Sequence, residues 1–266
     1  MKTVNLAPLP SYLFTFLLFY LSCGCSSSDE DKDNGGGTPA ANATFSASEM
    51  PEWHVDLSGN EQKPQWTAPD PSQYESKMIF LLRLQKELVP FSTDDDVMGV
   101  FVDDQCRALS QRSGNEQKVF FVLNVHGNNT ATPENYQLRY YSGGLKRLFV
   151  LSGQNTLLNE RSIGIDSDFS PMLTAGQTKF SVMTELTVDF VASDDHPVYA
   201  EEDLVGVFVN GECRGVGKPG DPFLVFSNST DEQGELRYYS IFEGGVFTSS
   251  SKVLLSGGSQ TIPFNF

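Results

Sequence analysis

Positive charge is scarce in this 266-residue chain: 18 Lys and Arg stand against 34 Asp and Glu, for a formal net charge of −16. A surface of that sign repels phosphate backbones and anionic headgroups, which sets nucleic-acid binding aside. Histidine is scarcer still, and His54, His126 and His196 show no metal-ligand spacing. There is no G-x-S-x-G nucleophile elbow, no H-E-x-x-H and no glycine loop of the phosphate-cradling kind. A glycosidase needs only two carboxylates, but usually sets them in a deep cleft on a larger scaffold. The expectation is therefore a non-enzyme without cofactor or metal. Cysteine is confined to Cys23, Cys25, Cys106 and Cys213; four would invite disulfides in an exported protein, but two belong to the amino-terminal signal region and leave only Cys106 and Cys213 in the body. Apolar spacing of the helical kind is missing along the whole chain, which excludes a helical bundle.

The longest apolar run, Leu13 to Leu21 behind the basic start Met1-Lys2, is too short to span a bilayer comfortably and reads as an export signal. Ser22-Cys23-Gly24-Cys25 follows, and small residues before a cysteine resemble the lipobox of bacterial lipoproteins. Gly24 favours Cys25 as the acylated residue, while Leu21-Ser22 keeps Cys23 in play. The acidic run Ser26 to Asp31 resembles the tag that sends Bacteroidota lipoproteins to the outer face of the outer membrane. Asn34 to Pro39 continues as a polar, glycine-rich tether.

What the chain does contain, it contains twice. Gly99-Val100-Phe101-Val102-Asp103-Asp104-Gln105-Cys106-Arg107-Ala108 returns as Gly206-Val207-Phe208-Val209-Asn210-Gly211-Glu212-Cys213-Arg214-Gly215, and Leu138-Arg139-Tyr140-Tyr141-Ser142 returns as Leu236 to Ser240. Each long copy reads as a β-hairpin, with Asn210-Gly211 as a type I′ turn. Plain alternation then sets Phe208 opposite Cys213, Val207 opposite Arg214 and Gly206 opposite Gly215. In the first copy Phe101 opposes Cys106 and Gly99 opposes Ala108. The Phe and Cys side chains are assigned to the inner face, the valines and arginines to the other. The predicted fold is all-β: two tandem small β-sandwich (Ig-like) domains related by internal duplication, after a signal peptide and flexible tether. The boundaries read as 1–24 signal peptide, 25–50 tether, 51–153 first repeat with an aromatic lead-in packed on it, 154–173 linker and 174–266 second repeat. Each half carries a full strand set and is expected to fold alone.

The pattern G-V-F-V-x-x-x-C-R-G, led by Trp66-Thr67-Ala68-Pro69-Asp70-Pro71-Ser72-Gln73-Tyr74-Glu75 and a strand, resembles modules common in secreted and surface proteins of Bacteroidota. The resemblance covers about residues 66 to 257 and implies location and shape rather than chemistry. Four aromatics in irregular segments, Trp53, Trp66, Tyr74 and Tyr199, are the candidate ligand contacts, since exposed rings stack on sugar faces. Arg107 and Arg214 form a repeated polar face, read either as ligand contacts or as local ion pairs, the latter being the usual fate of such an arginine. The acidic runs at 94–96 and 201–203 hold oxygen ligands for calcium in principle, but lack EF-hand spacing and read as solvated loops. Cys106 and Cys213 read as free, buried thiols. The expected function is a non-catalytic lipoprotein on the cell surface, lipid-anchored in the outer membrane, binding polysaccharide or a surface protein. The alternative is a structural or adhesive spacer.

Overall fold

The computed structural model describes residues 43–46, 49–128, 133–153, 156–157, 162–190 and 199–265. Cys23, Cys25, the export signal, the tether as far as residue 42 and His196 lie outside the described residues.

Fifteen strands make up the described fold. In chain order they are β1 (Ala43–Ser46), β2 (Ser76–Arg83), β3 (Val97–Val102), β4 (Gln105–Gln111), β5 (Ser113–Gly114), β6 (Val119–Gly127), β7 (Gln137–Ser142) and β8 (Arg147–Leu151). They continue as β9 (Val182–Asp189), β10 (Leu204–Val209), β11 (Glu212–Gly217), β12 (Phe223–Ser227), β13 (Gln233–Ser240), β14 (Gly245–Leu254) and β15 (Gly258–Pro263). The fold is all-β. One sandwich sets the sheet β2-β6-β5 against β4-β3-β7-β8, and the other sets β12-β9-β15 against β11-β10-β13-β14-β1. β6 shows why these segments are strands: Val119, Phe121, Leu123 and Val125 alternate with more exposed residues, so one face is apolar. Phe121 meets Tyr140 of the facing sheet with ring centres 5.8 Å apart. Each such buried side chain stabilises the fold by about 1.5–3 kcal/mol.

Both hairpins form, with Asp103-Asp104 and Asn210-Gly211 at positive φ as a type I′ turn demands. The expected pairing fails one step beyond the cysteines. Phe101 pairs with Cys106, but Val100 pairs with Ala108 and Gly99 with Leu109. In the second hairpin Phe208 pairs with Cys213, but Val207 pairs with Gly215 and Gly206 with Val216. Arg107 and Arg214 are thus the extra residues of two β-bulges. The face assignment is reversed as well. Val100 and Val102, like Val205, Val207 and Val209, lie in the cores between the sheets, whereas Phe101 and Phe208 point outward beneath two tryptophans. These strands are buried on both faces, so their sequence reads as a continuous apolar run and carries no alternation to orient it.

The lead-in and the stretch between the halves are both structural. From Pro51 to Leu57 alternate side chains turn inward, ending at the fully buried Leu57. Trp66 packs on Phe101 of the first sandwich as expected, but Trp53 packs on Phe208 of the second. Within 154–173, read as a linker, Ile163 and Phe169 bridge in parallel to Phe80 and Leu82 of β2. They extend that sheet as β15, which pairs in parallel with β9, extends the other. Leu224, Phe226 and Phe180 of the second half join the same apolar cluster as Leu57, Leu88 and Phe80, and Pro39–Phe266 form one compact unit.

Candidate functional site

The bulges aim the two arginines across the open edge of each sandwich. Arg107 donates to Glu134 Oε1 (2.8 Å) and to the His126 carbonyl (3.5 Å), with its guanidinium 4.6 Å from the centre of the Tyr74 ring. Arg214 donates to Glu232 Oε2 and to the Phe226 carbonyl (both 3.4 Å) and lies 4.6 Å from the Phe180 ring centre. Each glutamate also accepts from the backbone N–H of the asparagine just past the facing strand, Asn128 at 3.0 Å and Asn228 at 2.8 Å. One carboxylate therefore holds the backbone just past the facing strand and neutralises a buried cation together. Both arginines are 4% exposed, with Nε of each buried and without a hydrogen bond, so they clamp the sheets rather than present a charge to solvent.

The acidic runs divide by burial. Asp94 and Asp95 are exposed and pair with Arg112 and Lys63. Asp96 is fully buried, accepting from Ser92 Oγ (2.6 Å), Tyr140 OH (2.7 Å) and Gly143 N (2.8 Å). Asp203 does the same in the second half, with Tyr238 OH (2.5 Å) and Ile241 N (2.9 Å). Burial, with the carboxylate beside each ring, pushes both phenols well above the ordinary tyrosine range. Neither run is wholly a solvated loop, and among the described residues no group of three His, Cys, Asp or Glu side chains is placed to hold a metal ion.

The four predicted aromatics occupy separate settings. Tyr74 is held between Arg107 and His126, whose pKa burial and the nearby Lys77 lower. Tyr199 is exposed and packs on Phe190. The two tryptophans are half-buried in matching surroundings. Trp66 meets Phe101 edge-on at 5.0 Å, and Arg139 covers that ring from 4.3 Å. Trp53 meets Phe208 at 5.3 Å, with Arg237 at 4.3 Å. Cys106 and Cys213 lie beside these phenylalanines as half-buried free thiols, and burial raises the Cys213 pKa to about 11. Such a thiol stays protonated at neutral pH and is a poor nucleophile.

Each tryptophan also flanks a cleft at the far end of its hairpin. Trp66, Pro64 and the last residues of β4, Leu109 to Gln111, frame one of about 300 Å³. Trp53, His54 and the end of β11, Val216 and Gly217, frame one of about 360 Å³, with Pro90 and Phe91 of the first sandwich as its opposite wall. Lys86, Glu87, Lys218 and Asp221 at this cleft supply both signs of charge beside an apolar floor. A third cleft of about 360 Å³, between Arg83, Lys118 and Glu185, includes none of the predicted residues. Glu134 and Glu232 had no signal of their own in the sequence, and Asp96 and Asp203 had only their place at the end of the two acidic runs, because a structural carboxylate looks like any other until its arginine or tyrosine is placed beside it.

The Trp53 segment is also tied down by charge. Asp56 accepts from Ser58 Oγ (2.5 Å) and Lys179 Nζ (3.1 Å), and Lys179 also meets Glu212 at 2.8 Å. The Ser58 hydrogen bonds, with help from Lys179, lower the Asp56 pKa from 3.8 to about 2. A depressed carboxylate pKa contributes stability that is present above the unfolded value and is lost as pH falls through the folded one. Acidification from pH 3.8 to about 2 is therefore expected to loosen this segment. Trp53 emission in a Trp66→Phe chain should move to longer wavelength over that window, and in an Asp56→Asn chain the step should be lost.

No protein-family model matches the chain, and no curated protein matches it.

Proposed function

We propose that this chain is a non-catalytic lipoprotein of the cell surface, anchored in the outer membrane through Cys25 or Cys23, that binds glycan at the clefts beside Trp53 and Trp66. The observation that carries this reading is the recurrence of one arrangement, a half-buried indole at the lip of a cleft at the end of each hairpin. Indoles offer a flat apolar face to a sugar ring, and clefts of about 300–1,000 Å³ suit small ligands or single units of a polymer. The balanced charges around the Trp53 cleft favour a neutral polysaccharide over an ionic one.

The test is intrinsic fluorescence of two full-length variants, Trp66→Phe to isolate Trp53 and Trp53→Phe to isolate Trp66, titrated with a panel of neutral polysaccharides. A saturable shift in at least one indole is the expected result. Unchanged emission from both across the panel would overturn the reading. A structural or adhesive role keeps support from one feature, the turn between β13 and β14, where Phe242 is 73% and Ile241 45% exposed. On that reading Phe242→Ser weakens attachment between surfaces and leaves indole emission unchanged.

A further inference from the structure

The Trp53 cleft does not stand alone. Lys86, Glu87 and Leu224 line it and also line the third cleft, between Arg83, Lys118 and Glu185, so two hollows of about 360 Å³ each adjoin where the halves meet. β12 contributes to both, with Leu224 and Phe226 in the first and Phe223 and Leu224 in the second. At the shared boundary the exposed Lys86 reaches from the first half to the second, and its Nζ donates to the Pro222 carbonyl. A lysine on a flexible stem that holds one neutral carbonyl is easily displaced. Its neighbour is fixed more firmly. Gln85 is 3% exposed, accepts from Leu173 N (2.6 Å) and donates to Glu87 Oε2 (2.9 Å), so a buried amide positions a carboxylate at the boundary. That bond leaves Glu87 Oε1 to accept from a ligand. The cleft beside Trp66 differs, because it shares no described lining residue with the other two.

Building on the glycan reading above, we propose that the Trp53 cleft and the third cleft are one groove, and that it holds an internal stretch of a linear, unbranched neutral glycan. Side chains of both signs occur along its whole length, from Lys218 and Asp221 to Lys118 and Glu185, and suit hydroxyls, which donate and accept alike. The apolar side chains of β12 suit the faces of sugar rings. A chain entering both clefts takes the Pro222 carbonyl from Lys86 with one of its own hydroxyls. The Trp66 cleft, by contrast, holds only a short unit.

The test uses the two full-length single-tryptophan chains, titrated with cello-, laminari-, malto- and manno-oligosaccharides, each as disaccharide and hexasaccharide. In the Trp66→Phe chain the hexasaccharide of a responding series should bind about a hundredfold tighter than the disaccharide, because it also fills the third cleft. In the Trp53→Phe chain the gain should be at most about fivefold, that of a longer chain offering more binding frames. Ser170→Leu, added to the Trp66→Phe chain, sets a bulkier apolar side chain in the third cleft and loses only a 3.3 Å hydrogen bond to the Arg83 carbonyl. It should leave disaccharide affinity unchanged and remove the gain. Gln117→Leu, at another exposed residue of that cleft, takes its place should Ser170→Leu fail to fold. An equal gain at both indoles, a gain that survives the filled cleft, or a response from Trp66 with none from Trp53 would overturn the continuous groove and leave the glycan reading standing. Silence from both indoles with every sugar would overturn both.

Discussion

Replacing Glu134 by alanine is expected to lower the unfolding free energy by about 3–5 kcal/mol, the usual loss when one partner of a buried ion pair is removed. The guanidinium of Arg107 is 5% exposed and the Glu134 carboxylate 16%, so water cannot take over the missing contact without opening the sandwich edge. The same substitution frees the Asn128 N–H from its acceptor. Arg107 would keep only the long bond to the His126 carbonyl and its place over Tyr74. Glu232→Ala is expected to cost less, because Arg214 Nε also lies 3.1 Å from Glu212 Oε2 and so retains a second anion. Urea unfolding followed by circular dichroism separates the two: Glu134→Ala should show the lower midpoint by a clear margin. Glu134→Gln should fall between Glu134→Ala and the native chain, since the amide oxygen restores the bond from Asn128 N and not the charge. Equal losses from the two glutamates would show that Glu212 does not compensate, and a Glu134→Gln chain as stable as the native one would show that the clamp does not act as an ion pair.

The strands were legible because β6, β7 and β13 carry alternating or strongly β-forming residues, and because Asn210-Gly211 has one natural use. The orientation of the hairpins was not. A bulge is a single unpaired residue, and neither Cys106-Arg107-Ala108 nor Cys213-Arg214-Gly215 announces one, yet it moves every later residue to the other face. Phe101 and Phe208 look like core residues because they are buried, but an indole from outside the sheet buries them. The tryptophans were legible as aromatic residues of a lead-in that packs on the sandwich fold. Their division between the sandwiches was not, since β1 and Trp53 reach β14 and Phe208 across most of the chain. Long-range pairing of this kind leaves no periodic trace.

A fragment of residues 174–266 is expected not to fold cooperatively by itself, although it contains β9 to β15. It lacks β1, which edges its larger sheet, and Trp53, which covers Phe208. It also exposes Phe180, Leu224 and Phe226, which are at most 5% exposed in the full chain and belong to the cluster centred on the first sandwich. Uncovering three such side chains costs up to about 5–9 kcal/mol at 1.5–3 kcal/mol each. That loss matches the whole stability of an ordinary domain, about 5–15 kcal/mol. The Asp56–Lys179 ion pair is cut as well. The measurement is thermal unfolding of the fragment by circular dichroism beside the full chain. A sharp transition near that of the full chain would show that the shared core and the Trp53 segment are dispensable. A broad or missing transition, restored to a sharp one when residues 39–56 are fused ahead of residue 174, would identify that segment as the missing part. If the fused fragment still fails, the deficit lies in the contacts that Phe180, Leu224 and Phe226 make with the first sandwich, because these are what the fusion leaves unrepaired.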